Sequence, residues 1–111
     1  MIFIFGPLYS GKRRAAAQIL GCGEEELDAR CVCGAQELAA RREDLEVLAD
    51  ELARYDAVIA TEVGSGVVPL DAAQRAARER AGRLNCLLAA RAEAVVRVLC
   101  GIPQVIRGKL P

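Results

Sequence analysis

The chain has 111 residues, 53% of them hydrophobic and 27% charged, with fifteen basic and fifteen acidic side chains. Such a chain buries a core and is not a disordered polymer, and its balanced charge leaves no overall cationic field for non-specific binding of nucleic acid. Histidine is absent, which excludes an imidazole base, nucleophile or zinc ligand from these residues.

The length predicts a single domain spanning residues 1–111. Met1 to Phe5 is a continuous apolar run of strand length, the pattern of a central strand covered on both faces of a parallel sheet. Gly6 to Lys12 forms a glycine-rich turn, and Arg13 to Leu20 has helical composition until Gly21 and Gly23 stop it. Residues 21 to 34 carry no assignable pattern beyond a short strand near Arg30 to Cys33. From Ala35 to Tyr55, Leu38, Leu45, Leu48, Leu52 and Tyr55 fall on one stripe, which predicts one helix. Asp56 to Thr61 is a second strand, and residues 62 to 69 form a loop. Asp71 is the N-cap of a helix over Ala72 to Glu93, and Ala94 to Cys100 is a strand ended by Gly101 and Pro103. Strands alternating with helices predict an α/β fold, a mostly parallel sheet with flanking helices.

The neutral total conceals a polarity. Residues 35 to 56 carry three positive and seven negative charges, and residues 57 to 111 carry eight and four. This suits either a basic half that meets an anion or a neighbouring subunit, or two solvated helix faces of opposite sign. Five cysteines, at 22, 31, 33, 86 and 100, are odd in number and irregular in spacing. They predict buried free thiols in a reducing, cytoplasmic setting rather than disulfides or a metal site. No apolar stretch is long enough to span a bilayer.

Gly6-Pro7-Leu8-Tyr9-Ser10-Gly11-Lys12 matches GxxxxGK after a strand and before a helix, the context of a phosphate-binding loop. Backbone N–H groups there point at phosphate oxygens and Lys12 reaches the terminal phosphates of a nucleotide; otherwise the segment is a strand-to-helix turn with a solvated lysine. The next position, where such loops use Ser or Thr on magnesium, is Arg13. Glu62, at the end of a predicted strand, is a candidate carboxylate for Mg²⁺ or for orienting an attacking hydroxyl, or else a strand-end residue that hydrogen-bonds the neighbouring glycine loop. Gly64, Ser65 and Gly66 allow either close ligand approach or a structural turn. Arg75 with Arg78, and Arg80 with Arg83, share local helix faces suited to phosphate or carboxylate, and Asn85 lies mid-helix where it favours a specific hydrogen bond.

The segment Thr61 to Pro69, with Arg75 to Arg78, Ala81 to Asn85 and the strand ending Cys100 to Pro103, resembles the bifunctional adenosylcobinamide kinase and adenosylcobinamide-phosphate guanylyltransferase family. With the loop, the resemblance covers residues 1 to 20 and roughly 56 to 107. It implies a P-loop NTPase-like fold, ATP or GTP with Mg²⁺, a corrinoid substrate and a homo-oligomer. Mapped onto this chain, it implies phosphate binding by Gly6, Gly11 and Lys12. It implies a catalytic, metal-binding role for Glu62 and substrate binding through Gly64, Ser65, Gly66, Arg75, Arg78, Arg83 and Asn85. In that family a histidine carries the guanylyl group, and this chain has none. The compression between loop helix and second signature implies loss of the family's second strand and histidine segment. The expectation is kinase-like transfer to a corrinoid hydroxyl, with a catalytically reduced nucleotide- or corrinoid-binding module or structural subunit as the alternative.

Overall fold

The apolar run at the N-terminus becomes β1 (Ile2–Gly6), which lies between two parallel partners, β3 (Ala57–Thr61) and β4 (Ala94–Leu99), as its two-sided hydrophobicity requires. In the computed structural model, which describes residues 1–62 and 71–111, the sheet order is β2-β3-β1-β4-β5. Here β2 is Cys31–Cys33 and β5 is Ile102–Gly108. Four strands run parallel, and β5 closes one side as an antiparallel edge.

Alternation along β1 divides the core. Ile2 and Ile4 pack with Ile59, Val96 and Val98 against α1 (Lys12–Leu20) and α2 (Glu24–Arg30). Phe3 faces the other way, with Val58 and Val95, onto α3 (Ala35–Arg41), α4 (Leu45–Leu52) and α5 (Ala72–Arg91). In register, Phe3 stands opposite Val58 and Val95, and Ile4 opposite Ile59 and Val96, so each face meets like side chains from its neighbours. The result is the α/β class with a mostly parallel sheet between helical layers.

Three expectations change. The helix expected over 35–55 is broken into α3 and α4, because Arg42 turns extended and Asp44 caps the next helix by accepting from the Val47 N–H at 3.2 Å. The leucine stripe survives, since both pieces lean on the same core, but Tyr55 falls outside the helix and is exposed. Residues 24–33, left largely unassigned, form α2 and β2, with Glu24 to Glu26 at the helix N-terminus and Arg30 at its C-terminus, the signs the helix dipole favours. The short strand expected near Arg30 to Cys33 is present, as the three-residue edge β2. Finally, β4 ends before Gly101 as expected, but the chain beyond it, given no element by the sequence, returns as β5. Cys100 (φ 51°) and Gly101 (φ 76°) form a two-residue turn with the positive φ angles of a tight hairpin. Pro103 is tolerated in β5 because an edge strand has a side without ladder partners. The helix over 72–93 stops at Arg91, with Asp71 capping it as expected through the Gln74 N–H at 2.7 Å.

The α3–α4 break is held by α5. Arg80 donates to the carbonyls of Ala39 at 2.9 Å, Glu43 at 3.2 Å and Arg42, satisfying the end of α3 that a straight helix would not expose. Arg80→Met keeps the apolar stem and removes these bonds, and is expected to lower stability by about 1–3 kcal/mol in urea denaturation. An unchanged midpoint would show that the break holds without α5. Among the described residues, no helix is long and apolar enough to cross a membrane.

Candidate functional site

The glycine-rich segment lies at the C-terminal end of central β1, where ligands bind in open parallel sheets. Gly6 closes the strand, and Glu62 N–H donates to its carbonyl at 2.8 Å. A Cβ at Gly6 would stand 2.3 Å from the Val98 carbonyl oxygen and 2.9 Å from Ser10 Oγ, so only glycine lets β1 approach β4 while the loop folds back. Gly11 has φ 86° and precedes α1 without a side-chain cap. The first N–H groups of α1 thus receive no capping side chain, the arrangement that leaves donors for an anion. Tyr9 also adopts positive φ, at 60°, and is almost fully exposed at 94%. Such a conformation in a non-glycine residue costs energy that the surrounding loop must hold.

The hairpin after β4 buttresses this loop. Gly101 N–H donates to the Ser10 carbonyl at 2.7 Å. Ser10 itself is buried, and its hydroxyl has no hydrogen-bond partner among the described residues. Lys12, 9% exposed, donates from Nζ to the Pro7 carbonyl at 2.7 Å. Its ammonium therefore folds back over the loop. Burial pushes Lys12 below its ordinary pKa range, against the opposing charges of Glu62 and Cys33. A partly desolvated ammonium gains more from an arriving phosphate than a solvated one does. Tyr9, Ser10, Gly11, Lys12 and Arg13 line a hollow of about 300 Å³ with Cys33, Gly34, Ile59 and Thr61.

Arg13 turns aside from the position its spacing suggested. It donates to Asp28 Oδ1 at 2.9 Å and to Cys33 Sγ at 3.0 Å, which ties α1 to α2 and the end of β2. Glu62 is held just as firmly: Arg97 Nε and Nη2 donate to its two oxygens at 2.6 and 3.1 Å. Arg97 went unremarked in the sequence, although an arginine inside the apolar strand Ala94–Leu99 signals a partner, because a charge in such a strand needs pairing.

Across the sheet, Glu62, Arg78 and Asn85 meet around a cavity of about 570 Å³, with Phe3, Phe5, Val95 and Ile106 supplying an apolar wall. Among the described residues the Asn85 Oδ1 is buried without a partner, so the specific bond expected of Asn85 is not made there from that atom. Arg83 lies instead in a groove of about 960 Å³ between α4 and α5, with Arg80, Glu43, Asp44 and Glu46. Arg75 is exposed at the start of α5. Gly64, Ser65 and Gly66 lie outside the described residues. The cysteines depart from the expectation of buried thiols, since only Cys31 is buried, Cys22 is half-buried, and Cys33, Cys86 and Cys100 are exposed.

The protein donors do not fit a resident Mg²⁺. Glu62 has both oxygens hydrogen-bonded by Arg97, Arg13 is a cation tied to Asp28 and Cys33, and no group of three or more His, Cys, Asp or Glu residues converges among the described residues.

No curated protein matches the chain. The family described as cobinamide kinase / cobinamide phosphate guanyltransferase matches residues 25–106, 82 of the 111, and the chain belongs to that family.

Proposed function

We propose that the protein binds the triphosphate of ATP or GTP in the loop Gly6 to Lys12 and transfers the terminal phosphoryl group to a hydroxyl of a cobinamide-type corrinoid, in cobalamin biosynthesis. Family membership supports the substrate class. The family match begins at residue 25, beyond the loop, so the nucleotide site rests on the loop itself. The observation that carries it is Lys12, buried at the start of α1 with its Nζ resting on the Pro7 carbonyl, ready to exchange that acceptor for a phosphate oxygen.

In this reading the corrinoid hydroxyl lies beside Glu62, with the apolar wall of Phe3, Phe5 and Ile106 against the substrate. The hydroxyl oxygen attacks the terminal phosphorus, the bond to the bridging oxygen breaks, and the nucleoside diphosphate leaves. Lys12 meets the charge that builds on the transferring group. Glu62, fixed by the Arg97 fork, accepts the hydroxyl proton or orients the hydroxyl for loss of it. Guanylyl transfer through a histidine is not part of the proposal, because the chain has no histidine.

Mass spectrometry of cobinamide incubated with the protein, Mg²⁺ and ATP or GTP tests the reading, a gain of one phosphate being the expected result. Glu62→Gln is expected to leave nucleotide affinity within about twofold and to lower the transfer rate about 100-fold. A rate equal to wild type would remove Glu62 from the chemistry. A second reading has an observation of its own. Arg13 replaces the hydroxyl and is committed to Asp28 and Cys33, which favours a protein that holds nucleotide without turning it over. Titration calorimetry showing nucleotide binding, with no phosphorylated corrinoid under any divalent cation, would select it.

A further inference from the structure

Cys33 takes no part in the proposed transfer, yet it lies in the loop hollow with its sulfur 3.0 Å from the Arg13 guanidinium. We propose that Cys33 is a modification site, a thiolate held by Arg13 that exchanges with small-molecule disulfides and whose adduct occupies the hollow beside Lys12. The competition with nucleotide that this implies rests on the phosphate-loop reading above; the reactivity of the thiol does not.

Several features converge on it. Cys33 ends the edge strand β2, so its side chain is exposed while its neighbour two residues back, Cys31, is buried on the same side of the strand. Arg13 is fixed by Asp28 at 2.9 Å, which keeps the guanidinium over the sulfur. Ser10, 4% exposed with a hydroxyl unpartnered among the described residues, lines the same hollow. The groups facing the sulfur are the Cys31 thiol from its own strand, Arg13 and Lys12 from α1, and Asp28 from α2. The neighbouring Cys31 thiol and the positive charge of Arg13 outweigh burial and Asp28, and hold Cys33 down to about 6. Cys31 is driven the opposite way and stays a thiol. Thiolate character with access is what selects one cysteine among five for exchange.

The step balances without another reagent. The Cys33 thiolate attacks one sulfur of a disulfide, and a Cys33–sulfur bond forms as the disulfide bond breaks. The departing thiolate takes a proton from water. Cys33 is oxidised to the mixed disulfide, and the leaving half is reduced.

The probe is a chromogenic aromatic disulfide, followed by absorbance from pH 5 to 9, with peptide mass spectrometry to locate the adduct. A low pKa costs intrinsic nucleophilicity, so the contrast is largest in mild acid. At pH 6 one thiol is expected to react about tenfold faster than a short unstructured cysteine peptide. Its label should appear on Cys33 before Cys86 or Cys100, and the phase should vanish in Cys33→Ser. In Arg13→Met the midpoint of the pH profile should climb toward the ordinary thiol range. A first label elsewhere, or a wild-type midpoint near that of the free peptide, overturns the proposal; the wild-type profile stands without any variant. Saturating ATP should slow the labelling at least tenfold. Fast labelling of Cys33 indifferent to ATP and GTP would leave the thiolate standing and remove the phosphate-loop reading.

Discussion

Lys12→Ala is expected to abolish measurable nucleotide binding by titration calorimetry and to lower any phosphoryl transfer by about 100- to 1,000-fold, the loss usual for one preorganised group facing developing charge. The fold should survive. Among the described residues Lys12 makes one side-chain bond, to the Pro7 carbonyl, and its removal leaves that acceptor beside an open hollow where water reaches it. Thermal denaturation within a few degrees of wild type, together with lost binding, separates a binding defect from misfolding. If Lys12→Ala binds ATP as tightly as wild type, the glycine-rich turn is a strand-to-helix connection and no more.

Gly6→Ala is expected to do the reverse and strike the fold first. The added methyl would meet Val98 carbonyl oxygen at 2.3 Å, an atom of the neighbouring strand backbone that no rotamer change can move. Either β1 separates from β4 at its end or the loop is pushed outward past Ser10. The expected loss is about 3 kcal/mol or more, a large share of the stability of a domain this size, read by urea denaturation. Hydrogen exchange should localise the damage to the last residues of β1 and β4 and to the Gly101 N–H that donates to Ser10. A wild-type denaturation midpoint would mean that the approach of these strands is looser than the 2.3 Å separation implies.

These two substitutions touch the same seven residues from different sides. Lys12 acts on what the loop binds, and Gly6 on how closely the loop can sit against the sheet. The hairpin turn at Cys100 and Gly101 joins the two effects, since it extends β4, which crowds Gly6, and donates to the loop carbonyl of Ser10. A perturbation of β5 therefore has a route to the nucleotide site without touching a ligand.

What the sequence by itself determined was whatever depends on neighbours along the chain. The run Met1 to Phe5 has apolar side chains on both faces, and only the middle of a covered sheet accommodates that, so its central place was legible. The GxxxxGK spacing located the turn between β1 and α1, and Asp71 announced the start of α5. Tertiary structure decided what depends on contacts between distant segments. The leucine stripe over 38–52 fits one helix or two. The break at Arg42 is accommodated because Arg80, about forty residues away, satisfies the freed carbonyls. β5 has few local marks of a strand, with Gly101 and Pro103 at its start, and exists because the exposed edge of β4 offers a ladder to pair with. The site divides along the same line. Spacing placed Lys12 in the loop, but only the fold brought Arg97 to Glu62 and sent Arg13 to Asp28 and Cys33. It also set Asn85 and Arg78, but not Arg83, around the cavity that Glu62 shares. A hydrogen-bond partner is chosen by distance in space, and separations of 15 to 35 residues along the chain leave no local pattern from which that choice can be read.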